Sequence, residues 1–206
     1  MECRFMANVD LISILESKLA ATAGVADRLA YSIGRATSLN LAPLTLERLG
    51  NMTDSDMEVM DAYLFRYGCL VSNIQDSIFK SIGELELEPV SKMSNRDKSN
   101  LMERLGALPS AEAFSMLVLI RNKLMHEYPE EAQKHLDRIN FITKESPELL
   151  DVFVSIIGYS NKFGISLPLE QCEHLLEFGA GICKTCKKIP CLCSVDFPPP
   201  ARPEIE

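Results

Sequence analysis

Asp54 to Gly83 reads DSDMEVMDAYLFRYGCLVSNIQDSIFKSIG, with apolar residues at Met57, Met60, Leu64, Tyr67, Val71, Ile74, Ile78 and Ile82. Steps of three and four put these on one stripe of an α-helix about seven turns long. Thr53 and Asp54 offer N-caps in front of it. A long helix with one apolar face needs other helices to cover that face. No run in the chain alternates with period two while being rich in β-branched residues, so no sheet is expected. The fold class that follows is all-α, an antiparallel up-and-down helical bundle.

Working outward, Leu11, Leu15 and Leu19, then Val25, Leu29 and Ile33, mark an earlier amphipathic helix softly interrupted at Gly24. Residues 39–49 surround Pro43 and read as a connection with a short turn of helix. Downstream, Ser94 and Asp97 form a capping-box-like start to a short helix through Leu105. Ser110 caps the next helix, and Phe114, Met116, Leu117, Val118, Leu119 and Ile120 cover it all round, which predicts a central, buried element. Pro129-Glu130-Glu131 opens a further helix, with proline in its first turn and acids at its positive end. Ser146-Pro147-Glu148 repeats the same start signal. After Gly164 the character changes: Pro168 to Phe178 fits one more helix, followed by a cysteine cluster and a Pro-rich tail. The expected organisation is a helical bundle over 1–164 and an appendage over 165–206.

The chain has 206 residues, 47% of them hydrophobic, enough for a packed core. Its formal charge of −8 argues against a broad basic surface tracking long nucleic acid and leaves room for a local basic site. The longest apolar run, Met116 to Ile120, has five residues, so no membrane span is expected. The N-terminal residues lack a basic region followed by an apolar one, and a cytoplasmic protein is expected. Four of the seven cysteines crowd into Cys183–Cys193, unlike a disulfide-stapled secreted domain.

The chemistry concentrates in Arg121-Asn122-Lys123-Leu124-Met125-His126-Glu127-Tyr128, closed by Pro129. If the helix continues through His126, Arg121 and Tyr128 share one face, and Asn122 and His126 share an adjacent one. Arginine offers a planar fork suited to phosphate. Histidine can act as acid or base near neutrality. That pair suits metal-free cleavage of a phosphodiester in which the RNA 2′-hydroxyl is the nucleophile. On spacing alone a second reading stands beside it: surface residues, with His126 favourably placed near the negative end of a helix.

In its helical context, Arg121-Asn122-x3-His126-x-Tyr128 resembles the HEPN superfamily, and its Arg-x4-His-x-Tyr form is similar to that of HepT-type toxins. The likeness runs from about Asp54 to Tyr159 and includes Asp61-Ala-Tyr-Leu-Phe-Arg-Tyr and Leu101-Met-Glu-Arg-Leu-Gly. It implies a homodimer that brings two Arg/His pairs into one cleft. It also implies a metal-independent endoribonuclease leaving a 2′,3′-cyclic phosphate and a 5′-hydroxyl. His126 would then do the acid/base work, Arg121 would hold the phosphate and Asn122 would orient the site. In HepT-type systems a nucleotidyltransferase antitoxin transfers AMP to the motif tyrosine, here Tyr128. The resulting bulk and negative charge beside Arg121 would block the RNA phosphate site. Many HEPN domains are non-catalytic, so the alternative is a helical module binding a nucleotidyltransferase partner or RNA, with a metal-folded docking tail.

Arg66, Arg96 and Lys123 are candidates for a local RNA-binding patch. Cys183, Cys186, Cys191 and Cys193 supply enough thiolates for tetrahedral zinc, and zinc and free thiols both remain open, with an iron–sulfur cluster behind them. Cys172 and His174 are possible substitutes for one ligand. A metal there would fold the tail rather than catalyse. His135 reads as a surface residue, Met57 and Met60 as core fillers. Tyr63, Phe65 and Tyr67 are possible base-stacking rings, with packing favoured for Tyr67. Glu84, Glu86 and Glu88 read as a solvated loop.

Overall fold

A computed structural model of the chain describes residues 2–126, 131–167 and 169–178. It is mostly helical, and no strand occurs among the described residues. In chain order the helices are α1 (Glu2–Ser38), α2 (Leu46–Gly50), α3 (Asp54–Ser72), α4 (Phe79–Leu85), α5 (Asn95–Leu105), α6 (Ala111–His126), α7 (Ala132–Ser160) and α8 (Glu173–Phe178). Among the described residues no helix is long and apolar enough to cross a membrane.

Gly24 does not break α1, which runs unbroken and buries Leu15, Leu19, Leu29 and Ile33. Ala23, Ala26 and Ala30 on the same side are buried too, and such small side chains let neighbouring helices approach closely. Lys18 ties α1 to α4 by donating to Ser81 Oγ at 2.8 Å. The connection after α1 is held by Asn140 on α7. Its Oδ1 accepts from the Leu44 N–H at 2.7 Å, and its Nδ2 donates to the Leu44 carbonyl at 2.9 Å.

Of the two expected N-caps, Thr53 is the one used: helix α3 starts there, in a capping box with Asp56. The helix predicted for 54–83 is present, but not as pure α-helix. Asn73–Ile78 is a π-helical turn between α3 and α4, closed by the Phe79 N–H donating to the Ile74 carbonyl. A physical reason lies in the spacing. Ile74, Ile78 and Ile82 follow one another in steps of four, and each such step overshoots the 3.6-residue turn by about 40°. A wider turn keeps all three on the core side, where all are fully buried. Met57, expected in the core, is 46% exposed at the first turn of α3, outside the covered part of the stripe.

Ser94 and Asp97 make the expected capping box of α5, and Gly106 ends it in the left-handed conformation at φ 78°. Ser110 Oγ accepts from the Ala113 N–H at the start of α6. Helix α6 is less buried than its composition predicts. Phe114 and Leu117 are in the core, with the Phe114 ring 5.2 Å from that of Phe79, yet Met116 and Leu119 are 46% and 44% exposed.

The second start signal at Ser146-Pro147 does not open a new helix. Pro147 lies inside α7. Ser146 is fully buried and its Oγ donates back to the Ile142 carbonyl at 2.6 Å, while Leu149, Leu150 and Phe153 bury the following turns. Packing on both sides thus carries the helix through a residue that lacks an N–H. Beyond Gly164, α8 packs against α1, and Ile165, Leu167, Leu169, Cys172 and Leu175 are buried. Asp27 Oδ1 accepts from the His174 and Leu175 N–H groups at 2.9 and 3.1 Å and caps α8.

Candidate functional site

The Arg121 turn of α6 is fixed from below by a tyrosine of α3. Tyr67 is fully buried, and its hydroxyl donates to the Leu117 carbonyl at 3.1 Å, one turn ahead of Arg121. Burial holds the Tyr67 phenol well above the usual tyrosine range, with nearby Arg121 pulling weakly the other way. It stays a neutral donor. Tyr63, one turn earlier, is fully buried as well, and burial pushes its phenol up to about 12. Neither ring is available for base stacking; Phe65, between them, is 65% exposed.

Arg121 leaves α6 toward the π-helical turn. Its side chain is 17% exposed, with Nη2 at 4.0 Å from Asp76 Oδ2. Its Nε is buried and has no hydrogen-bond partner among the described residues. A buried donor of a cationic group without an acceptor is costly, about 1–3 kcal/mol or more. Asn122 is exposed on the next position. Both residues line a cavity of about 870 Å³ between α5, the π-helical turn and α6.

The cavity wall is mixed. Arg96 and Asn100 come from α5, Gln75 and Asp76 from the π-helical turn, and Met116 and Leu119 from α6. Asp76, Glu103 and Glu112 add carboxylates. Of the three residues expected to form a local basic patch, only Arg96 lines this cavity. Arg66 points elsewhere, donating to Ser32 Oγ and lining a separate groove with Tyr31 and Arg35. Lys123 contributes its carbonyl, which accepts from Arg138 Nη1 of α7 at 3.2 Å. A cation at the C-terminal end of a helix is well placed, and Arg138 steadies the last turn of α6. Nothing in its local sequence marks Arg138 for that task.

His126 is the last residue of α6. Its side chain lies outside the described residues. So do Tyr128 and the four cysteines Cys183, Cys186, Cys191 and Cys193, with the zinc site expected of them. Cys172 is buried, and His174 stacks obliquely on Tyr31 with ring centroids 5.1 Å apart. His135 is half-buried on α7. The acidic run is not simply a solvated loop. Glu86 pairs with Lys162 and accepts from the Tyr159 hydroxyl at 2.7 Å, and Glu88 pairs with Arg104 at 3.0 Å.

Comparison of the chain with protein-family models, with curated proteins and with solved structures returned no match.

Proposed function

We propose that the chain is a HepT-like HEPN endoribonuclease acting without a metal. Arg121 holds the scissile phosphate, Asn122 orients the site, and His126 moves the proton as the RNA 2′-hydroxyl attacks. The products carry a 2′,3′-cyclic phosphate and a 5′-hydroxyl. The active form is a homodimer with two such pairs in one cleft, and a nucleotidyltransferase antitoxin silences it by AMPylating Tyr128. Zinc held by Cys183, Cys186, Cys191 and Cys193 folds the tail.

One observation carries the reading. Arg121 stands at the wall of a large, mixed cavity beside Asn122, on the same helix as His126 and about one and a half turns before it. A planar guanidinium at a cavity wall suits a phosphate oxygen. A second reading, a non-catalytic HEPN module binding RNA or a nucleotidyltransferase partner, is favoured by a different feature. Asp76 already faces Arg121, and Glu103 and Glu112 line the same cavity. These carboxylates weaken the attraction for a polyanion.

The deciding experiment is RNA cleavage by wild type and His126→Ala in EDTA, with the product ends analysed. Cyclic-phosphate ends from wild type alone are the expected result. Failure of the unmodified, folded wild-type protein to cut any of several RNAs would move the assignment to the binding module.

A further inference from the structure

The cavity is too large and too varied for a phosphate site alone. At about 870 Å³ it exceeds what a phosphate group fills and falls within the range of small-molecule pockets. Its far wall is the first two turns of α5, where Arg96 and Asn100 are exposed with side chains toward the same space as Arg121. Asn100 offers a carboxamide, the group that donates and accepts at once. From α6, Met116 and Leu119 expose apolar surface in the same cavity. A flat ring with polar edges and an apolar face would use both walls.

We infer that this cavity is a nucleotide subsite. It takes one nucleoside monophosphate unit, with the phosphate on the Arg121 guanidinium where it lines the cavity, and the base between Met116 and Leu119 on one side and Asn100 on the other. The carboxylates Asp76, Glu103 and Glu112 fit this ligand better than a long polyanion. They limit the site to a single phosphate and can accept from the amino or ring N–H groups of a base. The inference rests on Arg121 as the phosphate holder, the same assignment made for cleavage, but it does not require that cleavage occurs. The ligand is a nucleotide whether free or part of an RNA strand.

The test is equilibrium binding of the four nucleoside 3′-monophosphates, and of inorganic phosphate, to the full chain by titration calorimetry. The variants are Arg121→Ala, Asn100→Ala and Leu119→Ala. Asn100 and Leu119 are exposed, so those substitutions leave the core untouched. At least one nucleotide is expected to bind about tenfold or more tighter than phosphate, the discrimination a good base contact gives. Asn100→Ala and Leu119→Ala should each erode that advantage, and Arg121→Ala should weaken nucleotide and phosphate alike. Equal affinity for nucleotides and phosphate overturns the subsite. So does a base advantage that survives both α5 and α6 variants, or a dimer in which a second copy covers Met116 and Leu119 and no nucleotide binds. Competition by a short RNA assigns the site to a strand, whereas nucleotide binding that RNA does not displace assigns it to the free nucleotide. If a nucleotide binds with the expected losses but wild type cuts no RNA, the ribonuclease reading fails and the subsite stands.

Discussion

Glycine 83 is held to its size by a single neighbour. A Cβ built there would lie 2.1 Å from Val90 Cγ1, a contact no small shift relieves, because Val90 is itself buried. Gly83→Ala is expected to cost about 1–3 kcal/mol, the usual range for overpacking. Gly24, in the middle of α1, has nothing within 4 Å of its Cβ position. Gly24→Ala should therefore stabilise the protein by about 0.5–1 kcal/mol, and urea titration of both variants would check the opposite signs. Asp56 offers a pH-dependent case. The Thr53 N–H and hydroxyl, and Arg48 at 3.1 Å, hold its carboxyl below the ordinary value of 3.8 despite partial burial. A carboxyl with a lowered folded pKa stabilises above its unfolded value and loses that contribution as pH falls through the folded one. Wild type should thus be more stable than Asp56→Asn at neutral pH, with the gap narrowing below about pH 4. A thermal melt series that showed the same gap at pH 3 and pH 7 would contradict this.

Among the elements, the ones easiest to read were those whose signals are local. The stripe from Met60 to Ile82 and the Ser94–Asp97 capping box depend only on spacing and on side chains reaching their own backbone. The misread elements depended on partners. Pro147 looked like a helix start because its local signature matches one, and only the burial of Ser146, Leu149 and Leu150 carries α7 through it. Apolar residues all round α6 predicted burial, but periodicity cannot say how many sides neighbours cover, and the side with Met116 and Leu119 faces the cavity. The π-helical turn left a trace in the four-residue steps of Ile74, Ile78 and Ile82. Around the cavity, Arg121, Asn122 and Arg96 stand out in the sequence by residue type alone. Asp76, Asn100 and Arg138 gain their places only from how α5, α6 and α7 approach. The tie between α3 and α6 is open to a direct check. Tyr67→Phe removes the hydrogen bond to the Leu117 carbonyl and little volume, so it should cost about 0.5–1.5 kcal/mol. Hydrogen exchange should quicken in the Arg121 turn of α6 more than in α1; a uniform change across both helices would mean that the bond does not steady that turn.

At the scale of the whole molecule, the first helix and the segment before Phe178 share one core. Leu169, Cys172 and Leu175 are buried, and Asp27 of α1 anchors the segment by accepting two backbone N–H groups at the start of α8. The same contact governs a thiol. Burial first, and the Asp27 charge second, push the Cys172 thiol above its ordinary range, so the reactive thiolate is doubly disfavoured while α8 stays docked. Asp27→Ala acts on both causes with opposite consequences for a simple electrostatic view and a docking view. It removes a negative charge, a small direct gain in thiolate. It also leaves the two N–H groups of His174 and Leu175 without their acceptor, at a cost of about 1–3 kcal/mol. If docking dominates, opening of residues 165–178 should expose Cys172 and raise its alkylation rate by about tenfold or more, since 1.4 kcal/mol is a factor of ten in the open population. Cys69, on α3, serves as the internal reference, because its own raised pKa comes from burial alone. Mass-spectrometric labelling under native conditions separates the cases. Faster modification of Cys172 with Cys69 unchanged supports local undocking. Equal acceleration of both would mean that Asp27 supports the fold globally, and no change at Cys172 would show that its apolar neighbours hold the segment without the cap.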